Sequence, residues 1–227
     1  MRLLLLVFGC VAACAPDPEL GDPAGSAPDA NEPPMAQQLL ARIATCHNNV
    51  GGPFAQDRGM PATISLCGLG NAVTWTADLD VVCDGKTTAK CNAGTDPSFG
   101  RQTAASDSVG GPLDAAALPF VVIPARSPRF DFTAAGLRLG SVVAVVFGER
   151  LEFGVIGDVG PASIIGEASY RMAESLGIDP HPASGGTASG VTYIAFTGAG
   201  ARVAMLEDHD AAVEVGLANA RGLLETP

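Results

Sequence analysis

The chain has few of the groups that bind nucleic acids or stack against large ligands. Only 13 of its 227 residues are Lys or Arg, against 24 Asp or Glu, and aromatic residues make up 5% of the sequence. The formal net charge of -11 repels nucleic acid and anionic lipid head groups, whereas it attracts a polycation. The composition therefore excludes nucleic acid as a partner and favours a positively charged one.

Motifs for metals and cofactors are also scarce. The histidines at positions 47, 181 and 209 are far apart in the sequence, and no two cysteines have the CxxC spacing of many zinc sites. The glycine pairs 110–111 and 185–186 lack the Lys that follows in a phosphate-binding loop. We therefore expect neither a metal nor a cofactor.

The first 14 residues have the features of an export signal. Residues 3–8 are apolar, and the segment 1–14 is too short for a permanent membrane-spanning helix. The small residues before Cys14 resemble a bacterial lipobox, which implies cleavage before Cys14 and a lipid on its thiol. The alternative is an ordinary secretory signal with a chance Cys. Both interpretations predict export: as a lipoprotein of the cell envelope, with Ala15 favouring the outer membrane, or as an extracellular protein.

Residues 15–35 are predicted to be a flexible tether. This stretch holds six of the 17 prolines, several acids and little that a core could bury. Residues 36–227 contain no second linker and no repeat, and they are numerous enough for one domain with a real core. We expect this domain to be a monomer, in contact with a membrane only through the lipid anchor.

Four cysteines remain if Cys10 leaves with the signal and Cys14 carries lipid: Cys46, Cys67, Cys83 and Cys91. An even set in an exported protein predicts two disulfides, with three ways to pair them. We favour Cys83 with Cys91, because a polar loop separates them, which leaves Cys46 with Cys67. A zinc site is the alternative.

Several segments have the pattern of β-strands. Residues 73–81 alternate apolar with polar side chains, which is typical of a half-buried strand. Continuous apolar runs at 119–124 and 141–147 predict buried strands, and further strands are predicted at 151–156, 191–196 and 201–206. Helices are predicted after residue 167, ending at Gly177, and at 213–224, with Asp210 as a candidate N-cap. The domain is therefore mainly β.

The acids on the alternating strand allow two interpretations. Asp78 and Asp80 share one face of the strand, and Asp84 follows it. The three carboxylates could line a cleft and bind a cationic sugar. They could equally form a solvated face of the sheet.

Two acids on a short segment are candidates for acid/base catalysis. Asp158 follows an apolar run in a turn bracketed by glycines, and Glu167 lies nine residues later, just before a helical pattern. Two carboxylates are the minimum equipment of many glycosidases. Acids at such places are also common as turn formers and helix caps, so spacing alone leaves both interpretations open.

Sequence blocks around these acids resemble the glycoside hydrolase family 75 chitosanases. The blocks are DLDVVCDG (78–85), LDA (113–115), VVIP (121–124), GDVGP (157–161), IGEASY (165–170), LGI (176–178) and GGTASGVTYIAF (185–196). The resemblance implies an endo-acting, inverting chitosanase, with chitosan or another glucosamine-rich polysaccharide as its partner and with Asp158 and Glu167 as catalytic residues. Phe120, where the family pattern suggests Tyr, and Tyr193 are expected at the substrate.

The residues leave open which of the two acids donates the proton and which accepts it. We assign the acid to Glu167 and the base to Asp158. A carboxylate at a helix N-terminus is favoured in its charged form, which would lower the pKa of Glu167 and exchange the roles. Burial of Glu167 would restore the assignment.

The stretch 140–178 is also similar to the core of the rare-lipoprotein-A lytic transglycosylases. That likeness implies a double-psi-like six-stranded β-barrel with a few short helices. It also keeps open two alternative functions: a peptidoglycan lytic transglycosylase, in which one acid suffices, and a carbohydrate-binding barrel without catalysis.

Overall fold

The computed structural model describes residues 33–225. The predicted signal segment 1–14, including Cys14, lies outside the described residues, as does all of the predicted tether 15–35 except its last three positions. The first helix, α1, spans Met35–Ile43 and so begins close to the predicted domain boundary. Across 33–225, no helix has the length and apolar character needed to cross a bilayer.

Six strands close into a barrel, as predicted. They are β3 (Ala72–Val82), β4 (Phe120–Pro124), β5 (Val142–Phe147), β6 (Arg150–Gly160), β7 (Glu167–Ser169) and β8 (Thr187–Phe196). Their order around the barrel is β3-β7-β4-β6-β5-β8, and β8 pairs back onto β3. The pairs β3–β7 and β4–β6 are parallel, and the others are antiparallel. Closure leaves no unpaired edge between these six strands.

The continuous apolar runs are explained by burial on both faces. On β5, Val143 and Val145 point into the barrel, whereas Val142 and Ala144 join a second cluster outside it. Strands covered on both faces lose the polar alternation of a half-exposed sheet. The alternating strand β3 directs Val73, Trp75, Ala77 and Leu79 into the barrel interior, in agreement with its predicted face.

Helices α1 and α3 (His209–Glu225) cover the outer face of the barrel. Gly216 allows α3 to approach β6 closely, because a Cβ at this position would lie 2.2 Å from Phe153 Cδ1. The Arg42 Nε donates to the Leu223 carbonyl at 3.1 Å and links the two helices. The N-terminal cap of α3 is Asp208, which accepts from the Ala211 N–H, rather than the predicted Asp210.

Helix α2 (Tyr170–Leu176) ends where its sequence predicts but begins later than predicted, because residues 167–169 form β7. The Ser169 hydroxyl accepts a hydrogen bond from the Met172 N–H, and Gly177 ends the helix with a φ of 70° in the left-handed region. The same hydroxyl donates to the Leu118 carbonyl, which anchors the helix to the barrel.

The prediction of a strand at residues 201–206 is wrong. Residues Ala199–Ala201 form a 3-10 turn, and the only pairing that follows is a bridge between Ser141 and Arg202. The expected partner, β8, already pairs with β3 on one edge and with β5 on the other. No edge was left for another strand, so Ala201, Val203 and Leu206 pack individually against the outer cluster, whereas Met205 is exposed.

The sequence did not predict a hairpin that extends the sheet beyond the barrel. It consists of β1 (Asn49–Phe54) and β2 (Ile64–Leu69), and β2 pairs with the first residues of β3. The hairpin brings its connecting loop, residues 55–63, to the end of the barrel that carries the acidic side chains described next.

Candidate active site

Asp158 lies on a strand and not in the predicted turn. It belongs to β6, where the register against β4 shifts between the pairs Val121–Ile156 and Val122–Asp158. The shift leaves Gly157 as the extra residue, and a Cβ there would lie 2.8 Å from Phe120 Cβ. The bulge therefore sets the face on which the Asp158 side chain emerges.

Glu167 begins the three-residue strand β7, which is held between two barrel strands. Its backbone pairs with Asp80 on β3 in parallel, and the next residue, Ala168, pairs with Val121 on β4. The Glu167 carboxyl lies beside Gly160, since a Cβ at Gly160 would be 2.7 Å from Glu167 Oε2. A larger residue at position 160 would displace the carboxyl.

The two acids line one cavity of about 270 Å³. Asp84, Val122 and Pro161 are among the other residues at its wall. Asp158 and Gly160 lie two residues apart on β6 and face the same side, a spacing of about 7 Å in an extended strand. Because the Glu167 carboxyl lies beside Gly160, the two carboxyl groups open into the same cavity.

This cavity continues into two others, and all three form what we call the acidic groove. A cavity of about 350 Å³ shares Asp84 and Glu167 with the first and adds Asp80 and Asp96. A cavity of about 360 Å³ shares Asp80 with the second and adds Asp57 and Asp78. The structure thus brings together every acid that the sequence predicted to be catalytic or substrate-binding. Among the described residues that line the groove there is no Lys, Arg or His.

A larger cavity of about 500 Å³ lies elsewhere, between the β1–β2 hairpin and residues 130–135. Its acid, Asp131, forms an ion pair with Arg126, whose side chain lies 2.7 Å away. Because this carboxylate is already paired, the acidic groove is the better candidate for chemistry.

Burial and neighbouring groups affect the pKa values of the two candidate catalytic acids differently. Burial, followed by the charges of Asp80 and Asp158, raises the pKa of Glu167 from 4.5 to about 7. Burial also raises the pKa of Asp158, but the backbone N–H groups of Ala104 and Val159 act in the opposite direction. They donate to Asp158 Oδ1 at 2.7 and 2.8 Å and stabilise its charged form. Glu167 is therefore the group that holds a proton near neutral pH.

The pKa values of the neighbouring acids are also raised. Burial and the charge of Asp80 raise the pKa of Asp78 to about 7. Burial and the charge of Asp57 raise the pKa of Asp80, and burial raises that of Asp84. Carboxylate oxygens of Asp57, Asp78 and Asp80 lie within 4.8 Å of one another, so these three residues are the ones that could hold a cation.

Phe120 and Tyr193 do not contact the groove, which corrects the prediction that they bind substrate. Both side chains are fully buried, at 0% exposure. The Tyr193 ring stacks on Trp75 inside the barrel, with centroids 5.1 Å apart. Its hydroxyl donates to the Asp78 carbonyl at 2.8 Å and lies 3.4 Å from the Gly166 carbonyl. Tyr193 therefore supports the groove from behind.

Two further acids of the groove, Asp57 and Asp96, were not predicted from the sequence. Asp57 lies in the β1–β2 loop, and Asp96 lies in a turn where its Oδ1 accepts from the Ser98 N–H. Neither stands in a periodic pattern or in one of the quoted sequence blocks. A prediction of the β1–β2 hairpin would have placed Asp57 near the acids of β3.

Both predicted disulfides are confirmed, each with the favoured pairing. Cys46 bonds to Cys67 and ties the segment before β1 to β2. Cys83 bonds to Cys91 and closes the loop that follows Asp80 and contains Asp84. The Cys83–Cys91 bond holds a segment at the margin of the acidic groove, whereas the Cys46–Cys67 bond lies beside the separate cavity of about 500 Å³, whose wall includes Asn48 and Gly68. Two disulfides indicate an exported protein.

The chain is similar in sequence to known glycoside hydrolases. Residues 79–216 match the family described as fungal chitosanase of glycosyl hydrolase group 75. An endo-chitosanase of Aspergillus oryzae is 33% identical over 174 residues, which cover 72% of this chain and 71% of that protein. Endo-chitosanase B of the same species is 36% identical over 129 residues, which cover 53% and 54% of the two chains. The matched family segment contains Asp80, Asp84, Asp158 and Glu167.

Proposed function

Because the chain belongs to glycosyl hydrolase group 75 and is a glycoside hydrolase, we propose that it cleaves chitosan internally, at the bonds between glucosamine units. The observation that carries this proposal is the pairing of Asp158 and Glu167 in one cavity of a groove lined by acids. Chitosan is a polycation in mildly acid water, so the groove attracts the substrate along its whole length.

In the proposed reaction Glu167 is the general acid and Asp158 is the general base. Glu167 gives its proton to the oxygen of the glycosidic bond as the bond from that oxygen to the anomeric carbon breaks. Asp158 takes a proton from a water molecule whose oxygen forms the new bond to the same carbon. Glu167 ends charged and Asp158 ends neutral, and exchange of protons with solvent restores both groups.

Three features of the site support these roles. The raised pKa of Glu167 keeps its proton available at the pH where chitosan is charged. The two N–H donors to Asp158 Oδ1 favour its anion and leave Oδ2 to accept from water. Both carboxyl groups line one cavity of about 270 Å³, which has room for the water molecule that an inverting reaction activates.

Release of reducing ends from chitosan, chitin and peptidoglycan, measured side by side, tests the proposal. The wild type should act on chitosan, and Asp158→Asn and Glu167→Gln should each lose at least about 100-fold in kcat. Asp210→Asn is the matched control, because it removes an exposed Asp on α3, far along the chain from the groove residues. Cleavage of peptidoglycan but not chitosan would refute the substrate. Full activity of Glu167→Gln would refute the two-carboxylate reaction.

We also propose that Cys14 carries a lipid that anchors a monomeric catalytic domain at the cell envelope. The support is the small-residue segment before Cys14 and the tether composition of residues 15–35. Fractionation of cells that express the wild type or Cys14→Ser tests this: only the wild type should remain with the membranes. Equal release of both proteins would refute the anchor, and size-exclusion chromatography with light scattering would measure the oligomeric state.

A further inference from the structure

A segment outside the barrel stabilises the charged form of the proposed base, Asp158. The segment is the irregular stretch 101–105, in which the Ala104 N–H donates to Asp158 Oδ1 at 2.7 Å. Residues 101, 102 and 104 are exposed, so packing of side chains does little to hold this stretch in place. Other hydrogen bonds must therefore keep the Ala104 N–H directed at the carboxylate and not at water.

Both ends of this segment are anchored to the backbone around it. Before the segment, the Gly100 N–H donates to Asp84 Oδ1 at 2.5 Å, and the Gly100 carbonyl accepts from the Gly85 N–H at 2.8 Å. At its last residue, the Ala105 N–H donates at 3.1 Å to the carbonyl of Gly157, the extra residue of the bulge in β6. These bonds fix where the segment starts and stops, but none of them involves the residues between its ends.

The side chain of Thr103 fixes the middle of the segment. Its hydroxyl donates to the Ala105 carbonyl at 2.7 Å and accepts from the N–H of the buried Leu113 at 3.0 Å. Its methyl group lies over Gly85, where a Cβ would be 3.2 Å from Thr103 Cγ2. A bond from residue 103 to residue 105 closes a small ring around Ala104, which limits rotation of the peptide groups on either side of it.

We propose that Thr103 is a positioning residue, which holds the Ala104 N–H against the carboxylate of Asp158. Thr103 lines none of the three cavities of the acidic groove, so it acts on the reaction through Asp158 and not through the sugar. This role rests on the proposed function and identifies what keeps its base charged. Because the N–H donor favours the anion, loss of the Thr103 hydroxyl should raise the pKa of Asp158.

The test compares the wild type with Thr103→Val, Thr103→Ser and Thr133→Val. Val has nearly the shape of Thr but no hydroxyl, whereas Ser keeps the hydroxyl and loses only the methyl group. Thr133→Val is the matched control, because it also removes a half-buried hydroxyl, which donates to Asp131 beside the separate cavity of about 500 Å³. For each protein, circular dichroism checks the fold, and kcat and KM on chitosan are measured from pH ~3 to pH ~8.

The comparison isolates the effect on Asp158. Among the described residues, Asp84 and Glu167 are the other titratable groups at the wall of its cavity, and every variant retains both. The charge of chitosan changes with pH equally for all the proteins, so only a change in the enzyme separates their profiles.

We expect the acid limb of the kcat profile to move up by about one pH unit in Thr103→Val, as loss of one hydrogen bond to a charged group predicts. The limb moves up because Asp158 must be deprotonated to accept a proton from water, and a raised pKa shifts its deprotonation to higher pH. At the pH optimum kcat should fall about tenfold, with KM within about twofold, because the carboxylate loses its orientation. Thr103→Ser and Thr133→Val should keep the wild-type profile.

A second variant tests the same hydrogen bond without any change at Thr103. Ala104→Pro removes the N–H itself, and because Ala104 is exposed, its side of the chain has room for the ring. It should reproduce the shift of the acid limb, and an unshifted limb in this variant overturns the proposal even where Thr103→Val does not fold.

The outcomes also separate this role from the proposed function. If the wild type cleaves chitosan while folded Thr103→Val keeps the wild-type acid limb, the positioning role is refuted and the proposed function stands. Equal losses in Thr103→Val and Thr103→Ser would refute it too, since they would assign the effect to packing of the methyl group. A wild type that does not cleave chitosan would overturn both.

Discussion

Removal of the proposed catalytic acid should make the folded protein more stable. In the folded chain the pKa of Glu167 is about 7, against 4.5 for an unperturbed Glu. The folded state therefore holds this proton more tightly than the unfolded state, and the free energy of unfolding falls as pH rises from about 4.5 to about 7. Above that window the folded protein carries a charge that its surroundings disfavour. Glu167→Gln removes the charge but keeps the shape of the side chain.

The size of the gain follows from the two pKa values. Their difference is 7 minus 4.5, and each unit corresponds to about 1.36 kcal/mol, which gives an upper limit of about 3 kcal/mol. Relaxation of the neighbouring acids reduces this, so we expect a gain of about 1–3 kcal/mol at pH ~8. For a domain of this size the corresponding rise in Tm is about 2–4 °C for each kcal/mol.

The assay is thermal unfolding followed by circular dichroism at pH ~8 and pH ~4.5, on wild type, Glu167→Gln and Glu214→Gln. Glu214 is an exposed residue of α3 and serves as the matched control. The gain in Tm should appear at the higher pH and largely vanish at the lower one, where wild-type Glu167 is already protonated. Equal changes in Tm at both pH values, or a loss of stability at pH ~8, would refute the reasoning.

Two further predictions concern the scaffold of the site. Gly160→Ala should lower kcat about 100-fold with little change in KM, because its Cβ would lie 2.7 Å from Glu167 Oε2 and 2.9 Å from Val122 Cγ1 and would displace the acid. Steady-state kinetics on chitosan measure this, and a wild-type kcat would contradict it. Replacement of Cys83 and Cys91 by Ser should lower the free energy of unfolding by about 2–3 kcal/mol, since the bond closes a short loop between residues eight apart. Urea unfolding without reductant gives the value, and an unchanged midpoint would show that the loop is held by other contacts.

The barrel strands were predictable because their patterns follow directly from burial. The alternation on β3 corresponds to one covered face, and the continuous apolar runs on β4 and β5 correspond to two covered faces. The β1–β2 hairpin was not predictable in this way. Its first strand contains Gly51, Gly52 and Pro53, which are typical of turns, and its register shifts twice against β2. Pairing with β2, which itself pairs with β3 of the barrel, and not local preference makes this segment a strand.

The site was predictable only in part, and for a similar reason. Asp158 and Glu167 were found because they lie in recognisable blocks on a short stretch of chain. Asp57 reaches the groove through long-range strand pairing, which no local pattern encodes. Tyr193 was assigned to the wrong side of β8, because a strand buried on both faces gives no signal to tell its two sides apart.

Because Glu167 lies on a barrel strand, the position of the proton donor is independent of the segments that contact the sugars. The three residues of β7 are fixed by neighbours on both edges, whereas Asp57, Asp84 and Asp96 stand on connections between strands. Exchanging those connections would retune which sugars are accepted while the proton donor stays in place. To change which sugars the groove accepts, residues 55–63 and 95–98 are therefore the segments to vary, with the barrel left unchanged.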